Sequence, residues 1–161
     1  MAAIDQFTGA FEDLARPNRF EVFCSELGDT PNLCKASTAP AMTVGPLDAN
    51  YQGRIIKLSG DRTYADWTVT VYGTNSYAIY RAANQWSDRI NNPSANTSVT
   101  PSNYKRDATV RQLDRSGGTL YTWQLKKVWP TEVGQIDFDW SQNDAALEFT
   151  ITFAFDYMEG S

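Results

Sequence analysis

The sequence predicts an antiparallel β-sandwich or barrel flanked by one α-helix, a mainly β fold. Three observations point there. Long segments alternate apolar and polar residues at period two, most plainly Asp66 to Tyr72 and Ala146 to Tyr157. Aromatic residues make up 13% of the chain, a share that favours a β-rich core or a large interface. One stretch, Ser76 to Ile90, carries its apolar residues at helical spacing instead.

The elements follow in order. Arg19 to Leu27 is the first strand pattern, with Phe20, Val22 and Cys24 alternating with Glu21, Phe23 and Ser25. Gly28-Asp29-Thr30-Pro31-Asn32 reads as a turn, and Leu33 to Ala39 as a strand returning beside the first. Residues 40–53, punctuated by Pro40, Gly45, Pro46 and Gly53, read as a long irregular loop, which Arg54 to Leu58 leaves as a strand. In Asp66 to Tyr72, Trp67, Val69 and Val71 share a face. The helix, residues 76–90, sets Tyr77, Ile79 or Tyr80, Ala83, Trp86 or Gln85, and Ile90 on a roughly helical stripe and stops at Asn91-Asn92-Pro93. It is expected to cover the outer face of the sandwich. Pro93 to Asn103 reads as a polar loop. Ala108 to Asp114 and Thr119 to Trp129 form a hairpin about Arg115-Ser116-Gly117-Gly118. Gln135 to Trp140 follows as a strand, with Ser141 to Asp144 as its turn. The last strand, Ala146 to Tyr157, aligns Leu147, Phe149, Ile151, Phe153, Phe155 and Tyr157.

The chain's 161 residues suit a single domain, 1–161, with room for a full core. No run approaches the roughly 20 apolar residues of a membrane span. The N-terminal stretch lacks the apolar segment of a secretory signal, so a cytosolic origin is expected. Cys24 and Cys34 are then expected to be reduced, small apolar residues. Net charge is -5. Thr131 to Ser161 holds seven acids and no lysine or arginine. The remaining acids and every base lie before it, a poor distribution for gripping nucleic acid.

The sequence carries little catalytic chemistry. With no histidine, Ser-His-Asp and Cys-His catalysis are excluded, and a Cys/His zinc site lacks ligands. No nucleotide-binding loop is present. Asp137 and Asp139, flanking Phe138, read as an acidic, solvated strand face. Beside exposed tryptophans they would also suit a sugar-stacking platform. A carbohydrate-binding module is therefore a rival reading, with Trp67, Trp86, Trp123, Trp129 and Trp140 as its aromatics. Against it, Trp67 and Trp86 lie on apolar faces and read as core.

Four blocks in order carry a family resemblance. Phe11-Glu12 leads into Leu14-Ala15-Arg16-Pro17-Asn18-Arg19-Phe20; Gly60-Asp61-Arg62-Thr63 leads into Asp66-Trp67 and the strand after it. Tyr104-Lys105 is followed by Ala108, Val110, Arg111 and Gln112. Trp129-Pro130-Thr131, Gly134, Asp139-Trp140 and Asp156-Tyr157 complete the pattern. Over nearly its whole length the chain resembles the tail tube proteins of T4-like contractile phages. The end departs modestly: Met158 follows Tyr157 where the family pattern tends to place an aromatic.

The resemblance implies a structural, non-enzymatic subunit without cofactor, which lends strands to an inner barrel shared among subunits. It implies hexameric rings stacked into a tube in a virion tail, assembled in the host cytoplasm, with no membrane partner. The sheath protein would lie outside, tape-measure protein and transiting DNA inside, and baseplate and tail terminator at the ends. Tubes of DNA-free injection devices and contractile bacteriocins belong to the same group and remain an alternative. The 40–53 segment is longer than a connection needs, and Val44, Leu47, Asp48 and Tyr51 are its expected ring-stacking residues. Glu21, Asp114 and Glu148 are candidate acids of a net negative bore, which would repel passing phosphates.

Overall fold

The computed structural model describes residues 2–9, 14–28 and 30–161. Phe11, Glu12 and Asp29 lie outside the described residues. The N-terminal helix α1 spans Ala2–Gly9. Strand β1, Phe20–Cys24, is followed by one turn of helix, α2, Thr30–Leu33. Then come β2, Cys34–Ser37; β3, Met42–Tyr51; β4, Arg54–Tyr64; and β5, Trp67–Tyr72. Helix α3 runs Ala78–Ile90. The 93–103 loop is flanked and crossed by small elements: β6, Asn91–Asn92; β7, Thr97–Ser98; and α4, Pro101–Tyr104. Four strands finish the chain: β8, Arg106–Leu113; β9, Thr119–Val133; β10, Glu148–Ala154; and β11, Tyr157–Gly160.

The predicted mainly β, antiparallel architecture is the one observed. Strand order is β1-β8-β9-β10-β5-β2, with β11 also on β9. The long β9 serves two layers. Trp123 to Lys126 pair with β11 beside β8 and β1, whereas Trp129 to Val133 pair with β10 beside β5 and β2. Between them Lys127 takes φ 62, a left-handed kink held by its amide donating to Asp107 (3.3 Å). Burial follows the alternation. Val22, Cys24, Ala108, Val110 and Leu125 from one layer meet Trp67, Val69, Val71, Phe149, Ile151 and Phe153 from the other.

The helix closes this core rather than covering an outward face. Its Ile79, Ala83 and Trp86 are buried, at the spacing that keeps them on one stripe. The rings of Tyr80 and Trp86 meet Phe149 and Phe153, which point inward from β10. Trp86 donates its indole N–H to the Tyr104 carbonyl at 2.7 Å, so the ring is buried without an orphan donor.

Four expectations need correction. Residues 40–53 are not irregular: β3 pairs with β4 as a hairpin, and that strand extends to Tyr64, past Leu58. Gln52 and Gly53 both take positive φ, the geometry of the tight two-residue turn that matches strand twist. Strand β2 pairs with β5, not with the first strand, because Thr30–Leu33 winds into a helical turn. Gln135 to Trp140 is not a strand, so Asp137 and Asp139 share no strand face. The last strand breaks at Phe155 and Asp156, where Lys105 holds the Asp156 carboxylate at 2.8 and 2.9 Å.

Candidate assembly surfaces

The β3–β4 hairpin stands apart from the sandwich. Among the described residues its strands pair only with each other, and every residue of the two strands except Gly45, Ala49 and Tyr64 is exposed. At about 3.3 Å per residue it reaches roughly 30 Å. It is fastened at its base, where Ala65 N donates to Ala41 O (2.9 Å) and the Tyr64 ring packs on Phe155 (5.3 Å). Register sets Leu47 opposite Leu58, Ala49 opposite Ile56 and Tyr51 opposite Arg54. Side chains two apart on a strand share a face, so these residues form one largely apolar face. Asp48 and Lys57, paired in register, lie on the other. Leu47 and Leu58 are 57% and 52% exposed. A two-stranded hairpin is marginal alone in water, and among the described residues no layer lies beneath this one.

Of the four residues expected in ring stacking, Leu47 and Tyr51 stand on the apolar face and Asp48 on the opposite one. Val44 lies beyond a register shift at Val44/Pro46 and is exposed. Reasoning from sequence missed Ile56 and Leu58, which complete the face. The signal was the apolar run Ile55-Ile56 followed by Leu58, opposite a segment broken by proline and glycine. Gly60 fits the same irregularity: a Cβ there would come 2.8 Å from the Gly45 carbonyl oxygen. Asp61, Arg62 and Thr63 follow on β4, exposed.

The second surface is the outward face of the β1-β8-β9-β11 layer. Glu21 sits there, opposite Arg111 in register. The Arg111 guanidinium lies 5.1 Å from the centre of the Phe23 ring. Asp107 pairs with Lys126 at 3.2 Å, and Glu159 stands on β11. Strands β1 and β11 are the free edges of this layer. The other candidate acids are placed differently. Asp114 lies in the β8–β9 turn, where its carboxylate accepts from the Ser116 hydroxyl and from the amides of Ser116 and Gly118. These bonds, the hydroxyl first, hold its pKa below the usual carboxylate range. Glu148 begins β10 and pairs with Lys35. By contrast, the outward face of β5 and β10 carries Thr68, Thr70, Thr150 and Thr152, with a hydroxyl contact between Thr70 and Thr150 at 3.2 Å.

Elsewhere the signature residues are structural joints. The Arg16-Pro17-Asn18 turn closes with Arg19 N donating to Arg16 O (3.3 Å), and the Gln112 side chain reaches the same carbonyl. Trp67 is fully buried, its N–H on the Ser37 hydroxyl. Trp129 packs edge-on against Tyr104. Pro130 is buried opposite Phe153. Gly134 donates to Thr150 O at 2.7 Å, and a Cβ there would fall 2.4 Å from that oxygen. Asp139 accepts the Ser141 amide and hydroxyl, which leaves Trp140 at the crown of a turn. Asp156 anchors to Lys105 and Tyr157 opens β11.

Cys24 and Cys34 are free, and burial pushes both thiols up to about 11, so neither is a nucleophile at neutral pH. Among the described residues no group of three His, Cys, Asp or Glu could hold a metal. None of the described helices is long and apolar enough to cross a membrane. Trp67 and Trp86, two tryptophans of the sugar-binding reading, are core.

Comparison with known proteins decides the family. Residues 32–159 match the family model described as T4-like virus tail tube protein gp19. The chain is 37% identical to the tail tube protein gp19 of Enterobacteria phage T4, over 97% of this chain and 99% of that one. The chain belongs to the T4-like tail tube protein family. It is therefore a structural tube subunit of a virion tail, not an enzyme. The fold extends further. A chain in the sheath–tube complex of an extracellular contractile injection system (PVC, extended state) matches at TM-score 0.72 and 19% identity, over 96% of each chain. One from that system's sheath/tube terminator matches at TM-score 0.74 and 19% identity, over 94% of this chain and 99% of that one. At this identity the likeness is one of fold.

Proposed function

We propose that residues 1–161 form one tail-tube domain that closes into hexameric rings, and that the rings stack through the β3–β4 hairpin into a hollow conduit. The observation that carries this is the hairpin's apolar face, Leu47, Leu58, Ile56 and Tyr51, which its own chain leaves in water. A neighbouring ring would supply the missing layer. Ring closure is supported by the β1-β8-β9-β11 layer. Its four strands alternate in direction, so a copy rotated about a common axis offers its β1 antiparallel to the free β11. Such pairing would also remove exposed edges.

That layer would line the bore, through which DNA and tape-measure protein pass. On its strands Glu21, Asp107 and Glu159 stand beside Arg111, Lys126 and, at the kink, Lys127, a balanced set without the positive excess that would hold phosphates. Charges act over only about 8 Å at physiological salt, so the side chains that line the bore set whether it repels phosphates. The partners follow from this placement: sheath outside, baseplate and terminator at the ends. The likeness to chains from sheath–tube and terminator assemblies supports them. A DNA-free device would need the same tube.

Negative-stain microscopy of the purified chain tests the reading, with rings and hollow rods as the expected result. A hairpin shortened to a tight turn should leave rings or monomers without long tubes. A persistent monomer from the full chain would overturn the reading. A tube structure whose bore-facing side chains sum to a positive charge would overturn the repulsive wall.

A further inference from the structure

The 135–147 loop carries two aromatic side chains that no described residue covers. Phe138 is 80% exposed and Trp140 fully so. Placing such rings in water costs stability unless another surface takes them. The turn that presents them is ordered by its own bonds: Asp139 accepts from Ser141, Gln142 N donates to Asp139 O, and the Gln135 amide donates to Asp137. Asp137 and Asp139 flank the rings, and no base occurs from Thr131 onward.

A hollow of about 280 Å³ lies at the opposite end of β9. It is the size of a side chain or two rather than of a cofactor. Leu14, Leu113 and Leu120 give it apolar walls, with Leu14 and Leu120 exposed. Arg16 and Arg19 stand at its lining, and among the described residues its one acid is Asp114. That carboxylate is taken up by Ser116 and Gly118 of its own turn. Arg19 is fixed by donating to the carbonyls of Asp114 and Arg115 at 3.3 and 2.9 Å. Among the described residues no carboxylate pairs with Arg16 or Arg19.

We propose that the Phe138–Trp140 turn of one subunit docks in the Leu14/Leu120 hollow of a second copy. The occupant is another copy of this chain because knob and socket complement each other in charge and in polarity. Since they lie at opposite ends of one strand, they cannot meet within a subunit. Joined between subunits they make a head-to-tail contact, the kind that propagates into a ring or filament. The inference rests on the tube reading above and adds a contact distinct from the hairpin.

A photo-reactive phenylalanine analogue at position 138, exposed in the single subunit, tests it on the full chain. The expected result is an inter-subunit cross-link within residues 14–19 or 113–120 in assembled tubes. Tubes whose cross-links fall elsewhere, or only on an added sheath protein, would overturn the docking and leave the tube reading intact. A parent chain that never assembles would overturn both. Charge exchange gives a second readout. Asp137→Lys should raise the concentration needed for assembly roughly tenfold, the effect of a like-charge contact at a desolvated site. Adding Arg16→Glu should restore it. Lack of both effects would contradict the contact.

Discussion

Strands β5 and β10 and strands β3 and β4 are built from similar residues to opposite ends. In the first pair, Trp67, Val69, Val71, Phe149, Ile151 and Phe153 are at most 3% exposed. In the second pair, Leu47, Ile56 and Leu58 are each more than half exposed. The sandwich satisfies its apolar residues within one subunit, whereas the hairpin holds its own in solvent. Apolar patterning thus specifies a core in one region and an assembly face in the other. What separates them is whether a second layer of the same chain is within reach.

The comparison predicts unequal responses to mutation. The largest is at the core. Trp67→Ala removes a buried ring that packs 4.8 Å from Phe153 and should cost about 3–5 kcal/mol, read from urea unfolding of the unassembled subunit. Gly134→Ala comes next. Its Cβ would fall 2.4 Å from the backbone oxygen of Thr150, and a loss of about 1–3 kcal/mol is expected where the backbone must shift to make room.

A smaller, pH-dependent effect belongs to Glu26, which bonds both Arg89 and Arg106. Partial burial raises its pKa, but the two guanidinium groups outweigh this and leave it lowered. The contribution is therefore present above the unfolded value of about 4.3 and is lost as pH falls through the lower folded one. Glu26→Gln should flatten that part of the acid-unfolding curve. An unchanged curve would show that the pair adds nothing. The smallest effect is predicted at the hairpin. Leu47→Asp with Leu58→Lys puts opposite charges on a register pair and should change subunit stability by no more than about 0.5 kcal/mol.

Legibility from sequence follows the same divide. The strands Trp67–Tyr72 and Glu148–Ala154 were readable because one face is buried, and burial imposes the period of two. Helix α3 was readable because Ile79, Ala83 and Trp86 share a stripe. The hairpin was not, because exposure relaxes the pattern and Gly45, Pro46 and Gly53 read as loop residues. There they make a bulge and a tight turn. Gln135 to Trp140 failed for the opposite reason: Ile136, Phe138 and Trp140 alternate as a strand would, yet two of the three have no surface to pack on. The signature Lys105 and Asp156 were legible as motifs, but their mutual ion pair was not, since 51 residues separate them.

The central claim is that the hairpin's apolar face joins rings of an otherwise complete subunit. Its most direct test is negative-stain microscopy of Leu47→Asp/Leu58→Lys beside the parent, with subunit stability matched by urea unfolding. The account predicts long hollow rods from the parent, and only rings or single subunits from an equally stable variant. Rods of parental length from the variant would contradict it.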